Sequence, residues 1–482
     1  MNFTDLTIKS ASELIARKEV SAKELAAMSL ARIKQVDDKL RAFLYVAEQE
    51  ATQQARETDQ MVIADGENFS LTGIPYALKD NILYRGMQAT AASKILVGYK
   101  AAYDATVVKK LKEESPVLMG KTNLDEFAMG SSTENSAFGP SKNPFDISRV
   151  PGGSSGGSAV AVASGEVLFA LGTDTGGSVR QPASFCGIVG FKPTYGRCSR
   201  YGLIALGSSL DQPGILAKTV EDTAIVLQLI AGSDVHDSTA LLKPVPDYSK
   251  YLKEDMKGMR VGVPKECFGE GVDQEVKDAI KHSLKKMEEL GATVEEMSLP
   301  HFSLALACYY IILPVEISAN LSRYDGIRFP SSVPGQSLEE VYYNTRAQLG
   351  AEPKRRIMIG TYASSAGYFD AYYKKARAAQ QLIRKDFSDA FQKFDLIVTP
   401  TTPTAAFKFG EKSDPLAMYL ADVFTVGLNI AGVPGISIPI GTTKSGLPIG
   451  IQFAAPHFME ERLLHASHAL EKSLNLKLKP NI

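Results

Sequence analysis

Apolar residues recur along this chain with two different periods, and the change of period marks its layers. Over residues 1–65 they return every three or four positions, behind two Ser-x-x-Glu patterns, Ser10-x-x-Glu13 and Ser21-x-x-Glu24. A serine ahead of the first turn takes a backbone N–H while the glutamate three residues on reaches back, so each pattern predicts a helix start. These residues are read as an N-terminal helical layer. After it come short apolar runs at 74–78, 117–119, 167–172 and 188–191. Runs of that length fit buried strands. Four more stand at 260–263, 293–297, 396–399 and 436–440, with helical spacing at 272–290 and 459–474. Strands alternating with helices predict an α/β fold.

Residues 301–394 break the alternation. Their pattern is helical almost throughout and rich in Tyr, Lys and Arg, as in Y-F-D-A-Y-Y-K-K-A-R-A-A-Q-Q-L-I-R-K-D-F, so they are read as a helical insertion over one side of the core. No internal repeat or low-complexity linker divides the chain, which favours a single domain over 1–482.

A hydrophobic share of 44% and a charged share of 22% fit a chain with a sizeable packed core and argue against disorder. Fifty-three basic against 54 acidic residues leave a formal net charge of -1, with no global pull toward nucleic acid or an anionic membrane. Cys186, Cys198, Cys267 and Cys308 stand far apart without a C-x-x-C pair, and the nearest histidines lack zinc-ligand spacing. Reduced thiols, a cytoplasmic location and no metal site are expected. The start M-N-F-T-D-L-T-I-K-S lacks the basic-then-apolar order of a secretory signal. The longest apolar run, 304–315, is shorter than the roughly 20 residues of a membrane helix, so no membrane span is expected.

Candidate chemistry concentrates in two Gly/Ser clusters, V-P-G-G-S-S-G-G-S-A-V-A-V-A-S-G at 150–165 and L-F-A-L-G-T-D-T-G-G-S-V-R-Q-P at 168–182. Glycines let backbone N–H groups approach an anion or oxyanion closely, and the hydroxyls between them are candidate nucleophiles. Alone, such a run also describes a tight turn or a flexible connector. A phosphate-binding loop fails: Gly120-Lys121-Thr122 supplies its tail, but Ser115 stands where the first glycine is required. Gly152-Gly153-Ser154-Ser155-Gly156 does satisfy Gly-x-Ser-x-Gly, the elbow of serine hydrolases that need an acid and a histidine further along. None of His236, His282, His301, His457, His465 and His468 has a strand-end setting, and His282, His465 and His468 fall on charged helical patterns that suit surface or packing roles. A serine without histidine needs another base, and lysine serves in Ser-Lys variants. Lys79 closes the apolar run in G-I-P-Y-A-L-K-D-N at 73–81, where an ammonium can be desolvated; simple pairing with Asp80 or a nearby carboxylate is the competing reading. An ordinary lysine, with a pKa of about 10.4, stays protonated at neutral pH unless burial or hydrogen bonding to the neutral amine lowers it.

Together these residues resemble the amidase-signature hydrolases, whose hallmark is a Gly/Ser-rich segment closing on G-T-D-T-G-G-S-x-R-x-P. The likeness runs from I-P-Y-A-L-K-D-N through G-G-S-S-G-G-S and G-T-D-T-G-G-S-V-R-Q-P to F-C-G-I-V-G-F-K-P-T, and continues past Ser209-Leu210-Asp211. It implies a large mixed sheet covered by helices on both faces. It implies Ser178 as nucleophile, Lys79 as distal base and Ser154 as the hydroxyl relaying protons between them. A cis peptide bond between Gly153 and Ser154 is expected, as is an oxyanion hole from the backbone N–H groups of Thr175, Gly176, Gly177 and Ser178. Arg180 and Asp174 are expected to brace the loop.

Four further stretches, L-D-E-F-A-M-G-S-S-T-E-N-S, K-R-R-I-M-I-G-T-Y, Y-F-D-A-Y-Y-K-K-A and L-N-I-A-G-V-P-G-I-S, look like the branch of that family that hydrolyses glutamine within bacterial tRNA-dependent amidotransferases. This likeness implies glutamine as amide donor and ammonia passed to a partner within a heterotrimer containing B and C subunits. Glu-tRNA(Gln) or Asp-tRNA(Asn) would be the acceptor, with ATP and Mg²⁺ used by the partner and no cofactor in this chain. A glutamine pocket needs a cation for the α-carboxylate and an anion for the α-ammonium. Arg356 and Asp422 match the family positions for those tasks and Tyr309 matches an aromatic contact, with Arg355 and Tyr310 one residue away. A stand-alone amidase of other primary amides would share the catalytic set without the zwitterion pocket. A non-catalytic scaffold subunit would use the loops only to grip a partner.

Overall fold

A strand that is apolar on both sides must be covered on both faces. That condition shapes the centre of the computed structural model, which describes residues 2–65, 70–480 and 482. Its strands are β1 (Phe43–Val46), β2 (Pro75–Lys79), β3 (Val117–Thr122), β4 (Phe169–Asp174), β5 (Val189–Lys192), β6 (Gln212–Ala217), β7 (Arg260–Pro264), β8 (Thr293–Met297), β9 (Leu396–Pro400), β10 (Gly435–Thr442) and β11 (Pro448–Ala454). They form one sheet in the order β1-β3-β2-β4-β6-β5-β10-β11-β9-β7-β8. β2 runs parallel to β3 and β4, and β7 parallel to β8 and β9, while the other neighbours are antiparallel. The sheet is therefore mixed, and β2 and β4 are buried at every position.

The helices are α1 (Ile8–Ala16), α2 (Ala22–Leu40), α3 (Glu48–Asp65), α4 (Thr106–Lys112), α5 (Gly156–Ala163), α6 (Arg180–Cys186), α7 (Val220–Ile230), α8 (Gln274–Glu289), α9 (Ala305–Asn320), α10 (Leu338–Arg346), α11 (Ala351–Ser364), α12 (Tyr373–Ala390), α13 (Pro415–Tyr419), α14 (Val426–Ala431) and α15 (Glu460–Leu474). Side-chain alternation along the strands sorts them into two layers. Leu78, Leu118, Phe169 and Leu171 pack with apolar residues of α1, α4, α7, α8 and α15. Ala77, Val117, Met119 and Ala170 pack on the other face with α2, α3, α5 and α6. A third cluster joins α9, α12 and α14, and α11 packs along α9. The α/β class and the two covering layers agree with the sequence reading.

The structure corrects that reading in several places. Of the two anticipated helix starts, Ser21 and Glu24 do form a reciprocal cap on α2, but α1 begins three residues before Ser10 would allow. Thr7 is its cap, and Ser10 fills the third-residue role, its hydroxyl oxygen accepting from Thr7 N at 2.9 Å. The helical layer is also interrupted by β1, only four residues long between two helices. β6 and β11 escaped notice because they open with Gln-Pro-Gly and Pro-Ile-Gly, residues that usually signal turns. Finally, Phe302–Arg323 forms a helical segment of 22 residues with mean hydropathy 1.7, long and apolar enough by those criteria to cross a membrane. The unbroken apolar run is shorter than the helix that contains it. Here α9 packs against α11, α12 and α14 and carries Tyr309 toward the Gly/Ser loops.

Candidate active site

β2 ends at Lys79, and because β2 and β4 run parallel their C-terminal ends lie side by side. Lys79 is fully buried. Its Nζ lies 2.8 Å from Ser154 Oγ, 2.8 Å from Ser155 Oγ, 3.0 Å from Thr173 Oγ1 and 3.4 Å from the Thr173 carbonyl. Among the described residues no carboxylate pairs with it, and the neighbouring Asp80 lies 3.5 Å from Lys121 instead. The competing Lys79–Asp80 pairing is thereby removed. Burial lowers the Lys79 pKa to about 7, against the opposing pull of Asp125, Asp174 and Asp211. A neutral amine is thus accessible near neutral pH, as an ordinary lysine's is not.

The hydroxyls around that amine are not equivalent. Ser155 Oγ donates to the Thr173 carbonyl at 3.2 Å, and Asn81 Nδ2 donates to Thr173 Oγ1 at 3.0 Å. Toward Lys79, Ser155 therefore acts as an acceptor. The Ser154 hydroxyl hydrogen has no carbonyl or carboxylate acceptor among the described residues, so Ser154 alone of the two can pass a proton onward. Ser154 follows a cis peptide bond from Gly153, as anticipated. Asp125 braces this turn: its carboxylate accepts from Thr133 N at 2.9 Å and Asn135 N at 3.1 Å, and a side chain at Gly153 would strike it at 2.2 Å.

Ser178 sits in the loop from β4 to α6. Its carbonyl accepts from Ser155 N at 3.0 Å, which ties the two Gly/Ser segments together. Of the three anticipated catalytic residues only Ser178, at 8%, keeps any solvent-accessible surface, and its hydroxyl has no protein partner among the described residues. Asp174 organises the loop by accepting from Gly177 N at 2.9 Å, Val179 N at 3.2 Å, Arg180 Nη2 at 2.9 Å and Asn429 Nδ2 at 2.9 Å. Burial alone would raise its pKa, but the Arg180 charge and these hydrogen bonds outweigh it and hold the carboxyl well below its ordinary range. Arg180 is itself buried and bonded to Thr425 O, Gln452 and Asn429, so the bracing role expected of the pair is what the geometry provides. One consequence trims the anticipated oxyanion hole. The Gly177 N–H is engaged by Asp174, whereas those of Thr175, Gly176 and Ser178 have no protein partner among the described residues.

Across the loop stand the residues anticipated for substrate. A side chain at Gly176 would meet the Tyr309 hydroxyl at 2.4 Å, so glycine there admits α9 to the loop. Tyr310 stacks on Tyr419 at 3.8 Å between centroids, and the Arg356 guanidinium lies 5.1 Å and 5.4 Å from those two rings. Arg356 is buried and its Nε donates to Glu352 Oε1 at 2.7 Å, whereas the Arg355 side chain is 40% exposed. Of the two adjacent arginines, Arg356 is the enclosed one. Asp422 is buried and accepts from the Ser131 hydroxyl; burial pushes its pKa up to about 7, partly offset by that bond and by Arg356. Thr425 Oγ1 donates to the Gly176 carbonyl at 2.6 Å, linking the Asp422 segment to the loop.

Sequence reasoning missed Ser155, Thr173, Glu352 and Ser131. Ser155 and Thr173 lay inside the quoted Gly/Ser motifs without a signal to separate them, while Glu352 stands four residues before Arg356, a spacing that pairs opposite charges on a helix. No histidine hydrogen-bonds to any of the anticipated catalytic residues among the described residues, and among them no group of three or more His, Cys, Asp or Glu could hold a metal ion.

Comparison with known proteins gives the same direction. The A-subunit of glutamyl-tRNA(Gln) amidotransferase from Thermoanaerobacter pseudethanolicus is 54% identical, covering 100% of this chain and 99% of that protein. The crystal structure of the corresponding glutamyl-tRNA(Gln) amidotransferase A-subunit from Thermotoga maritima is 42% identical, with TM-score 0.83 over 100% of this chain and 99% of that one. Native peptide amidase from Stenotrophomonas maltophilia shares 27% identity and TM-score 0.85 over 99% and 98% of the two chains. The family model described as Amidase matches residues 24–464, a span that takes in the whole sheet and both Gly/Ser loops, and the chain belongs to the amidase family.

Proposed function

We propose that this chain hydrolyses the side-chain amide of glutamine through an acyl-enzyme on Ser178 and supplies the ammonia to a partner that amidates glutamate or aspartate held on tRNA. The observation that carries the reading is the dry Lys79 amine 2.8 Å from the Ser154 hydroxyl, in a turn whose next residue, Ser155, is tied through its N–H to the Ser178 carbonyl at 3.0 Å. Neutral Lys79 accepts the Ser154 proton as Ser154 accepts that of Ser178, and Ser178 Oγ attacks the carboxamide carbon. The N–H groups of Thr175, Gly176 and Ser178 offer donors for the oxyanion that forms. The relay then runs backward: Ser154 protonates the amide nitrogen, the C–N bond breaks, and ammonia leaves. Water attacks the resulting γ-glutamyl ester by the same route and releases glutamate.

Arg356 and Asp422 support glutamine as the substrate, since one offers a fixed cation to the α-carboxylate and the other a carboxylate to the α-ammonium. An arriving ammonium favours the ionised form of Asp422 and so offsets the effect of burial. The relatives' shared name, the A-subunit of an amidotransferase, supports an assembly with further subunits; in the proposal these are B and C subunits, and the use of ATP and Mg²⁺ belongs to the partner. The test is to trap the acyl-enzyme from glutamine and locate it by mass spectrometry, with Ser178→Ala as the companion variant. The expected result is a γ-glutamyl adduct on Ser178 and a loss of turnover of about 10⁴-fold or more in the variant. An adduct elsewhere, or an active variant, rejects the reading.

A further inference from the structure

The side chain that holds Arg356 also holds the piece of chain leading to Asp422. Glu352 stands in the first turn of α11, four residues before Arg356, and is buried. Its Oε1 accepts from Arg356 Nε at 2.7 Å and from the Tyr419 hydroxyl at 2.8 Å, while its Oε2 takes Arg355 at the rim. Burial alone would raise the Glu352 pKa, but the Arg356 charge and these bonds outweigh it and hold the carboxyl below its ordinary range, so Glu352 is an anion. Among the described residues Nε makes the only hydrogen bond of Arg356, so both terminal nitrogens are left for a ligand, and the side chain keeps 4% of its surface accessible. Tyr419 closes α13, a helix without a buried residue, and lies three residues before Asp422. Its hydroxyl bond to Glu352 and its stacking on Tyr310 fasten it to the wall. The Ser131 hydroxyl holds Asp422 from elsewhere, so the Asp422 segment is fixed at two points.

We propose that Glu352 is a positioning residue that sets the spacing between the two head-group contacts of the substrate. One carboxylate oxygen joins the arginine offered to the α-carboxylate to the segment that carries Asp422, offered to the α-ammonium. The proposal rests on the glutamine reading above. Glu352 acts through Arg356 and Tyr419 and not on the reacting atoms. A zwitterion uses both contacts at once and so gains from having their spacing fixed before it arrives, whereas an amide with one charge uses only one of them. The joint therefore favours glutamine over amides that lack either head group.

The experiment measures glutaminase kinetics and melting temperature for the full chain, co-expressed with its partners, as wild type, Glu352→Ala, Glu352→Gln and Tyr419→Phe. In Glu352→Ala the KM for glutamine should rise about 10- to 100-fold, the loss of charged hydrogen bonds, with kcat within about twofold. Glu352→Gln keeps an oxygen for Arg356 Nε and Tyr419, and the rim arginine can turn to solvent, so KM should return to within about fivefold of wild type. Two truncated amides then read the halves separately as inhibitors: 4-aminobutanamide, which lacks the α-carboxylate, and glutaric acid monoamide, which lacks the α-ammonium. Tyr419→Phe, which frees only the Asp422 segment, should weaken the first about tenfold and leave the second unchanged, whereas Glu352→Ala should weaken both. A wild-type KM in Glu352→Ala, a fall in kcat at constant KM, a Gln variant no better than the Ala variant, or equal weakening of both amides in Tyr419→Phe each overturns the proposal. Should Glu352→Ala not fold, the other two variants decide alone by the same measurements. If the wild type hydrolyses no glutamine, the glutamine reading itself fails and the proposal falls with it; contrary variants beside an active wild type overturn the proposal only.

Discussion

The corner where β2 and β4 end and the pocket wall made by α9 and α11 use different materials. At the corner, Lys79, Ser154, Ser155 and Thr173 are buried and joined by hydrogen bonds between 2.8 and 3.4 Å, with the lysine stem held inside the core. At the wall, Tyr309, Tyr310, Arg356 and Tyr419 reach inward on long side chains from helices and from α13, and they meet through ring stacking and one ion pair. A base with a lowered pKa must be kept dry and immobile, which strand ends provide. Recognition of a small zwitterion requires reach and a fork of donors, which a helix-borne arginine provides. The difference teaches that the corner should respond to substitution through kcat and the wall through KM.

Lys79→Met is the strongest way to break that contrast, because it keeps the volume and apolar stem while deleting the amine. Turnover should fall about 10²–10⁴-fold, the usual contribution of a positioned general base, with KM little changed; steady-state glutaminase kinetics check this. A variant that lost affinity instead would place Lys79 with the wall. Arg356→Lys keeps the charge but removes the planar fork and the stacking on Tyr310. The KM for glutamine should rise about 10- to 100-fold, equivalent to losing one or two charged hydrogen bonds, with kcat nearly preserved.

The mildest effect sharpens the comparison through pH. Lys79 and Asp422 both have pKa values near 7, the lysine lowered by burial and the carboxyl raised by it. Each must lose its proton to act, Lys79 to become a base and Asp422 to become an anion, so activity increases as pH rises through about 7 for both. Below that pH, kcat/KM should climb about 100-fold per unit in the wild type, and only about tenfold per unit in Asp422→Asn, where one titration remains. A pH-rate profile of the two proteins reads the slopes directly.

Much of the corner was legible in the sequence because its chemistry is packed into short contiguous motifs. G-I-P-Y-A-L-K-D-N puts a lysine at a strand end and the two Gly/Ser clusters supply candidate hydroxyls, but these residues alone left Lys79 open between base and ion-pair partner; the family resemblance the motifs carry named Lys79 and Ser154, whose contact is 2.8 Å. What escaped depended on the third dimension. That Gly177 turns its N–H to Asp174, leaving three free donors in the loop, follows from the fold of the whole turn. That Arg356 rather than Arg355 faces inward follows from how α11 rolls against α9, which a run of three basic residues does not reveal. β6 and β11 hid behind proline and glycine because sheet context overrides local turn preference: Pro213 faces Thr173, and Pro448 faces Thr442 at a strand end.

Asp422 and Thr425 stand three residues apart, joined by a backbone bond from Thr425 N to Asp422 O at 3.0 Å, and the Thr425 hydroxyl fixes the loop that holds Ser178. On the proposed assignment, one of these residues grips the head of the substrate and the other sets where its tail is cut. A single turn of chain then ties the two together, so a displacement of Asp422 is carried through Thr425 to the Gly176 carbonyl two residues before Ser178.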